Sequence, residues 1–284
     1  MLRRFRVIDV FGSQPFSGNP LAVVLDAEGL SAEEMQRFAR WMNLSETAFL
    51  LPPTSPSADY RVRIFTLARE LPFAGHPTLG SCHAWLTAGG EPRSAELIIQ
   101  ECGTGLVPVR RRGATSLAFA APPLLRSGPV EEALVQELAT VLGIARDAIV
   151  DSQWVDNGPG WVGVLLTDAA AVLRLEPDFR RSSGGGSLDI GVVGPHPKGA
   201  ECDLEVRAIF SDERRAMRED PVTGSLNASL AQWLLAAGRA TAPYVASQGT
   251  RLGRAGRVHI DQDVDGTVWV GGEAVTYVDG QIEI

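Results

Sequence analysis

The stretch HPTLGSCHA, residues 76–84, has a near copy, DPVTGSLNA, at residues 220–228. Pro, Gly, Ser and Ala occupy the same places in both copies. The pair Val62–Arg63 also recurs as Val206–Arg207, at the same displacement of 144 residues. Because several matches share one displacement close to half the length of the chain, we interpret them as an internal duplication and predict two similar lobes.

The length of 284 residues suits two domains of ordinary size. The best candidate for a linker is PPLLRSGP, which starts at Pro122 and precedes an amphipathic helix, EEALVQELATVLG, that ends at Gly143. We therefore predict an N-terminal lobe at residues 1–121 and a C-terminal lobe at residues 122–284. The last strand, about 270–284, is a candidate to pack back on the N-terminal lobe.

Each half is predicted to be mostly sheet with one strongly apolar helix. The helices are PTLGSCHAWLTAGG, which opens at Pro77, and PVTGSLNASLAQWLLAAG, which opens at Pro221. Proline is favoured at the first helical position and glycine beyond the last, and both segments follow this pattern. Because apolar residues cover nearly all sides of both helices, we predict that both are buried.

Two other segments have local signals. SAEEMQRFARWM is predicted to be a helix that opens with a capping box, in which Ser31 and Glu34 satisfy each other's backbone N–H groups. The glycine-rich run SSGGGSLDIG, residues 182–191, is predicted to be a loop or the start of a strand.

Composition excludes several classes of function. The net charge of −8 would repel a phosphate backbone or an anionic membrane surface, so we expect neither nucleic acid nor membrane as a partner. No segment approaches the ~20 apolar residues of a membrane span, and no cleavable leader is recognisable, so we expect a cytoplasmic protein. Three widely spaced cysteines, Cys82, Cys102 and Cys202, argue against a disulfide framework.

The usual cofactor and metal motifs are missing from the sequence. The only lysine, Lys198, lies in the turn-like run GPHPKGA, which suits neither a pyridoxal phosphate Schiff base nor a P-loop. GPGWVG, residues 158–163, matches the dinucleotide pattern but leads into a strand-like run, so we predict a turn. His76 and His83 could share a helix face, but no carboxylate or cysteine stands at ligand spacing beside them. We predict neither metal nor cofactor.

The two repeats each place an ionisable residue immediately before the proline: His76 in one and Asp220 in the other. A helix N-terminus offers unpaired N–H groups and a partial positive charge, which together favour an anion. Taken singly, Asp220 could be only an N-cap and His76 only a hydrogen-bonded turn residue. The paired placement favours an anion-binding site with acid and base groups on both walls of a cleft.

Glu46, in NLSETAFL, is a further candidate because it follows a helix and precedes an apolar strand. A carboxylate partly removed from water at that place could exchange protons near neutral pH. It could equally point to solvent, and the residues alone leave both interpretations open.

Four segments together resemble the PhzF-type phenazine biosynthesis family, within the diaminopimelate epimerase-like superfamily: GNPLAVV, NLSETAFL, ELPFAGHPTLG and REDPVTGS. The similarity runs along essentially the whole chain and keeps the same order. The resemblance implies an α+β fold of two pseudo-symmetric lobes, each a curved, mainly antiparallel sheet around a central helix, with the active site between them.

The resemblance also implies roles for individual residues. In relatives that epimerise amino acids, a cysteine at each helix start works as the acid/base pair, but this chain has Gly75, His76 and Asp220 there. A two-thiol racemase is therefore disfavoured. PhzF-type enzymes use one glutamate, matched here by Glu46, with the motif's histidine and aspartate matched by His76 and Asp220. No cofactor or metal is implied.

The reaction implied is the isomerisation of trans-2,3-dihydro-3-hydroxyanthranilate, a small carboxylate-bearing metabolite. Glu46 would move a proton from C3 to C1 while His76 and Asp220 hold the amino and hydroxyl groups. The substrate-binding residues implied are Ser45, Gly75, Gly224, Ser225 and Asn19. A homodimer is also implied. Two alternatives stay open: an epimerase or isomerase of another amino or hydroxy acid, and a non-catalytic small-molecule-binding module on the same scaffold.

Overall fold

A computed structural model describes residues 1–181, 188–211 and 216–284. These residues divide into two compact units. Unit 1 is Met1–Ala120 together with Trp269–Ile284, and unit 2 is Ala121–Val268. Residues 182–187, with which the predicted glycine-rich loop begins, lie outside the described residues. No helix in the described ranges has the length and apolar character needed to cross a membrane.

Short strands dominate both units. The strands are β1 (Leu2–Val10), β2 (Asn19–Val24), β3 (Thr47–Leu51), β4 (Tyr60–Phe65), β5 (Glu70–Leu71), β6 (Leu97–Cys102), β7 (Gly105–Arg111), β8 (Ser116–Ala120), β9 (Arg126–Pro129), β10 (Asp151–Asp156), β11 (Trp161–Leu165), β12 (Asp189–Pro195), β13 (Leu204–Ser211), β14 (Met217–Asp220), β15 (Tyr244–Gln248), β16 (Gly256–Gln262) and β17 (Val268–Glu283). The α-helices are α1 (Ala32–Met42), α2 (Gly75–Thr87), α3 (Glu132–Leu142), α4 (Ala169–Arg174) and α5 (Gly224–Ala236).

The strands of unit 1 form a closed ring. Antiparallel pairs join β1 to β2, β3 to β4, β6 to β7 and β7 to β8, and parallel pairs join β2 to β3 and β4 to β6. The long strand β17 completes the ring, because its first part pairs with β8 and its second part with β1. Closure leaves this ring without a free edge.

Helix α2 fills the interior of that ring and contacts β1, β2, β3, β4, β6 and β8. A helix enclosed in this way is expected to be largely apolar around its circumference, as this one is. Gly80, which both sequence repeats share, lets the helix approach the sheet closely. A Cβ atom there would lie 2.6 Å from a methyl carbon of Leu21 and 3.1 Å from one of Val10.

Unit 2 repeats the pairing pattern of unit 1. Its strands β10, β11, β12, β13, β15 and β16 are joined by antiparallel, parallel, antiparallel, parallel and antiparallel pairs in that order. The order from β1 to β7 in unit 1, without β5, is the same. Each unit also has one short strand that pairs antiparallel with the strand preceding it: β5 with β4 in unit 1, and β14 with β13 in unit 2. The topology therefore repeats as the sequence does.

Helix α5 is the counterpart of α2 and contacts β10 and β16. Here the close approach is made possible by a glycine on a strand. A Cβ atom on Gly163 of β11 would lie 2.8 Å from the ring of Trp233 on α5. A second core of unit 2 lies beside α3 and α4 and includes the buried residues Leu138, Val164 and Val172.

Two predicted helix starts are wrong. Helix α2 begins at Gly75, so that His76 and Pro77 lie inside its first turn. Helix α5 begins at Gly224, three residues after the proline, because Thr223 is an extended N-cap residue whose backbone N–H is bound by the side chain of Gln248. The predicted linker PPLLRSGP contains β9, which pairs with β10, and the division between the two units falls just before it, between Ala120 and Ala121.

Candidate active site

The first cluster of predicted site residues lies in unit 1 and consists of Asn19, Glu46 and His76. Asn19 is the first residue of β2, and Glu46 directly precedes β3. Because β2 and β3 are parallel, with Ala22 opposite Thr47, their starts lie at the same end of the sheet. His76 lies in the first turn of α2. The fold thus brings together residues that are far apart in the sequence.

All three side chains are largely withdrawn from water. Asn19 is fully buried and the His76 side chain is 3% exposed, whereas Glu46 keeps 17% exposure. Of the two interpretations of Glu46 that the sequence left open, the structure favours the partly buried one. Its carboxylate lies beside His76, with Oε2 of Glu46 3.6 Å from Nε2 of the imidazole.

The neighbours of His76 determine where its proton sits. The amide nitrogen of Asn19 lies 3.3 Å from Nδ1 of His76 and can only donate, so Nδ1 is the acceptor. The carboxylate of Glu46 can only accept, and it lies on the Nε2 side. Both neighbours therefore favour the tautomer with its proton on Nε2.

His76 is neutral at ordinary pH. Burial lowers its pKa to about 3, because the protein interior disfavours the charged imidazolium. The contact with Glu46 is consequently one between a carboxylate and a neutral N–H group, not an ion pair. Of the three side chains, Glu46 is the one suited to take up and return a proton, while His76 is suited to donate a hydrogen bond.

This burial predicts that acid destabilises the fold. The unfolded state binds a proton at His76 near pH 6.5, whereas the folded state does not until about pH 3. Stability should therefore fall as the pH drops through that window, by up to about 1.4 kcal/mol per pH unit from this residue. Urea unfolding at pH 4 to 6.5 should show a shallower pH dependence for His76→Gln than for the wild type.

A slope for His76→Gln equal to that of the wild type would contradict the assignment of a buried, neutral His76. His83 adds to the same trend in all variants, because burial also lowers its pKa.

The second cluster lies in unit 2, at the start of α5. Asp220 ends β14, and Thr223, Gly224 and Ser225 follow as the N-cap and the first helical residues. The Thr223 side chain does not cap the helix. Its hydroxyl instead lies 2.6 Å from Oδ2 of Asp220. Gln248, which sequence reasoning missed, binds this segment from the last position of β15.

Both apolar helices begin without a side-chain cap. In α5, Gly224 and Ser225 carry first-turn N–H groups that no backbone carbonyl of the helix can accept. In α2 the equivalent groups are those of Gly75 and His76, since Pro77 has no N–H. Such helix ends can bind a carboxylate. Ser45 immediately precedes Glu46 and leads into β3 with it.

No thiol stands at either helix start. Cys82 lies in the middle of α2, and burial raises its pKa to about 12. Burial also raises the pKa of Cys202. Neither cysteine is therefore a thiolate base near neutral pH. Within residues 1–181, 188–211 and 216–284, no three His, Cys, Asp or Glu side chains are placed so that they could hold a metal ion.

Residues 8–280 match the family model described as phenazine biosynthesis-like protein, PhzC-PhzF. Antisense-enhancing sequence 1 of Schizosaccharomyces pombe is 35% identical over 98% of this chain and 97% of its own. Trans-2,3-dihydro-3-hydroxyanthranilate isomerase of Pseudomonas aeruginosa is 33% identical over 99% of both chains.

Solved structures agree with the predicted fold class. A PhzF-family phenazine biosynthesis protein of Bacillus anthracis superposes over the whole of both chains with a TM-score of 0.79 at 23% identity. A probable proline racemase of Agrobacterium radiobacter K84 covers 99% of this chain and 93% of its own with a TM-score of 0.62 at 12% identity. The predicted α+β fold of the diaminopimelate epimerase-like type is confirmed.

Proposed function

This chain belongs to the phenazine biosynthesis-like family PhzC-PhzF and is an isomerase, and we propose that its reaction moves a proton within a small carboxylate-bearing metabolite such as trans-2,3-dihydro-3-hydroxyanthranilate. Glu46 is the acid/base of this proposal. The observation that carries it is the contact of a partly buried Glu46 carboxylate with a neutral, buried His76.

The proposed chemistry needs only one proton-transferring group. Glu46 removes the proton from C3 of the substrate as a base and returns a proton to C1 as an acid, on the same face. Neutral His76 cannot compete for that proton, because its Nδ1 accepts from Asn19 and its Nε2 already carries hydrogen. It can donate a hydrogen bond to the substrate and steady the delocalised intermediate.

The other residues of this proposal bind the substrate. Asp220 accepts hydrogen bonds from the substrate's amino or hydroxyl group. The N–H groups of Gly224 and Ser225 bind its carboxylate, as helix N-termini do for anions. Gly75 and Ser45 complete the substrate-binding residues.

The test is turnover in deuterated buffer. Wild-type protein and the variants Glu46→Gln and Glu33→Gln are incubated with trans-2,3-dihydro-3-hydroxyanthranilate, and NMR follows substrate loss and the position of the label. Glu33 is an exposed carboxylate on α1 and serves as the matched control. We expect the wild type and Glu33→Gln to consume the substrate and Glu46→Gln to leave it unchanged.

The position of deuterium separates this proposal from an epimerase. A one-base shift yields a product labelled at C1, or one that retains part of the original proton. An epimerase of another amino or hydroxy acid would instead wash deuterium into the stereocentre of the recovered substrate. Wild-type protein that consumes none of the compound would overturn the proposed substrate and direct the assay to other small carboxylates.

A further inference from the structure

Gln248 is a fully buried side chain at the end of β15, and it binds the segment that carries Asp220. Its oxygen accepts from the backbone N–H of Thr223 at 3.0 Å and from the Asn227 side-chain amide at 2.8 Å. Its nitrogen donates to the backbone oxygen of Asp220 at 3.2 Å and to the Thr223 hydroxyl at 3.0 Å. One side chain thus makes four hydrogen bonds to three residues.

These bonds fix the orientation of the Gln248 amide. The backbone N–H of Thr223 can only donate, and the backbone oxygen of Asp220 can only accept. If the amide were turned over, its NH₂ group would face the backbone N–H of Thr223 and its oxygen would face the backbone oxygen of Asp220. The nitrogen of Gln248 therefore faces the Thr223 hydroxyl as a donor.

The direction of the next hydrogen bond follows from this orientation. A hydroxyl has one proton, and Thr223 already accepts from Gln248, so its proton is directed to Oδ2 of Asp220 at 2.6 Å. That oxygen must be an acceptor. A hydrogen bond donated to a carboxylate favours its ionised form and restricts its rotation.

Unit 1 contains a similar pair of Gln and Thr side chains, but the Thr hydroxyl there donates to a backbone oxygen and not to a carboxylate. Gln100, also fully buried, accepts from the Tyr60 hydroxyl at 2.9 Å and donates to the Thr78 hydroxyl at 2.9 Å. Thr78 then donates to the backbone oxygen of Ala74 at 2.9 Å. A buried Gln that binds a Thr hydroxyl at the helix start is thus shared by both units, and in unit 2 the hydroxyl proton is directed to a carboxylate.

We propose that Gln248 and Thr223 are positioning residues that hold Asp220 ionised, with Oδ2 bound to Thr223, so that Asp220 acts as a hydrogen-bond acceptor toward the substrate. The contact of Asp220 with substrate rests on the proposed function. The effect of Thr223 on the Asp220 carboxyl does not, and it can be measured without substrate.

The experiment is a ¹³C NMR titration of the Asp220 carboxyl, assigned by the loss of its resonance in Asp220→Asn. Thr223→Val keeps the branched shape of the side chain and removes the hydroxyl. We expect the titration midpoint of Asp220 to move to higher pH in Thr223→Val and to return to the wild-type position in Thr223→Ser. Gln248→Glu should also raise the midpoint, because a carboxylate at that position draws the Thr223 proton to itself.

Thr78→Val makes the same chemical change in unit 1 and is the matched control. It should leave the Asp220 midpoint at its wild-type pH. If the proposed reaction is confirmed, kcat/KM should fall about tenfold in Thr223→Val, the loss of one hydrogen bond to a charged group. The acid limb of the pH profile of kcat/KM should shift together with the titration midpoint of Asp220. Thr223→Ser should restore both kcat/KM and the position of this limb.

Failure of the positioning role and failure of the proposed substrate give different results. An Asp220 midpoint that is the same in wild type and Thr223→Val, or that rises equally in Thr223→Ser or Thr78→Val, would overturn the positioning role whatever the activity. A midpoint that rises only in Thr223→Val and Gln248→Glu, in a protein that does not turn over the proposed substrate, would support the positioning role and reject the substrate.

Discussion

Glu46→Gln is expected to lower kcat at least roughly a thousandfold, because a carboxamide can neither take a proton from carbon nor return one. The substitution is nearly isosteric and keeps an oxygen beside Nε2 of His76, which lies 3.6 Å from the present carboxylate. The arrangement of Asn19 and His76 should therefore persist. Initial rates at saturating substrate measure the effect, and thermal unfolding checks that the variant is folded.

The split between kcat and KM makes this prediction specific. Because the substrate-binding groups of the proposal are untouched, KM should stay within a few fold of the wild-type value. Glu33→Gln, which changes an exposed carboxylate on the same unit, should leave both constants unchanged. A Glu46→Gln enzyme that retained a tenth of the wild-type kcat would show that another group carries the proton.

The repeated architecture could be predicted from sequence because the duplication left matching residues in matching structural places. The Val–Arg pairs are an example, because Val62 and Val206 are each the third residue of the equivalent strands β4 and β13. Local signals also worked where the interaction is local. The capping box of Ser31 and Glu34 opens α1, and Gly143, in the left-handed conformation, ends α3.

The helix starts could not be predicted, because long-range contacts decide them. The preference of proline for the first helical position put both starts at the proline. Proline is tolerated throughout the first turn, however, since its missing N–H is not needed there. In unit 2, the side chain of Gln248, 25 residues away in the sequence, binds the backbone N–H of Thr223, and the helix begins only at Gly224. No local pattern reports such a contact.

The site was only partly predictable for the same reason. Asn19, Glu46 and His76 could be named, but the sequence left open whether Glu46 faces solvent. The parallel pairing of β2 with β3 is what brings Glu46 to the end of the sheet where β2 begins. Gln248 was missed, although a polar residue that ends the otherwise largely apolar run YVAS was a usable signal.

The second prediction concerns stability and the two arginines of the repeated Val–Arg pair, which differ in how deeply they are buried. Arg207 makes a two-bond ion pair with Glu219, and both side chains are 4% exposed. Arg63 makes the same two-bond pair with Glu70, but those side chains are 28% and 40% exposed. Arg207 also donates to the backbone oxygens of Val172 and Leu175, which fixes it in place.

Glu219→Gln is expected to lower the free energy of unfolding by about 3–5 kcal/mol, because it leaves the Arg207 charge buried without its counter-ion. Glu70→Gln makes the identical change in the other repeat, where water can solvate Arg63, and should cost about 1 kcal/mol or less. Urea unfolding of both variants beside the wild type measures the difference. Equal losses of unfolding free energy in the two variants would show that burial of the Arg207–Glu219 pair adds nothing to stability. Glu219, which directly precedes Asp220, would then not stabilise the pairing of β14 with β13 more than an exposed ion pair does.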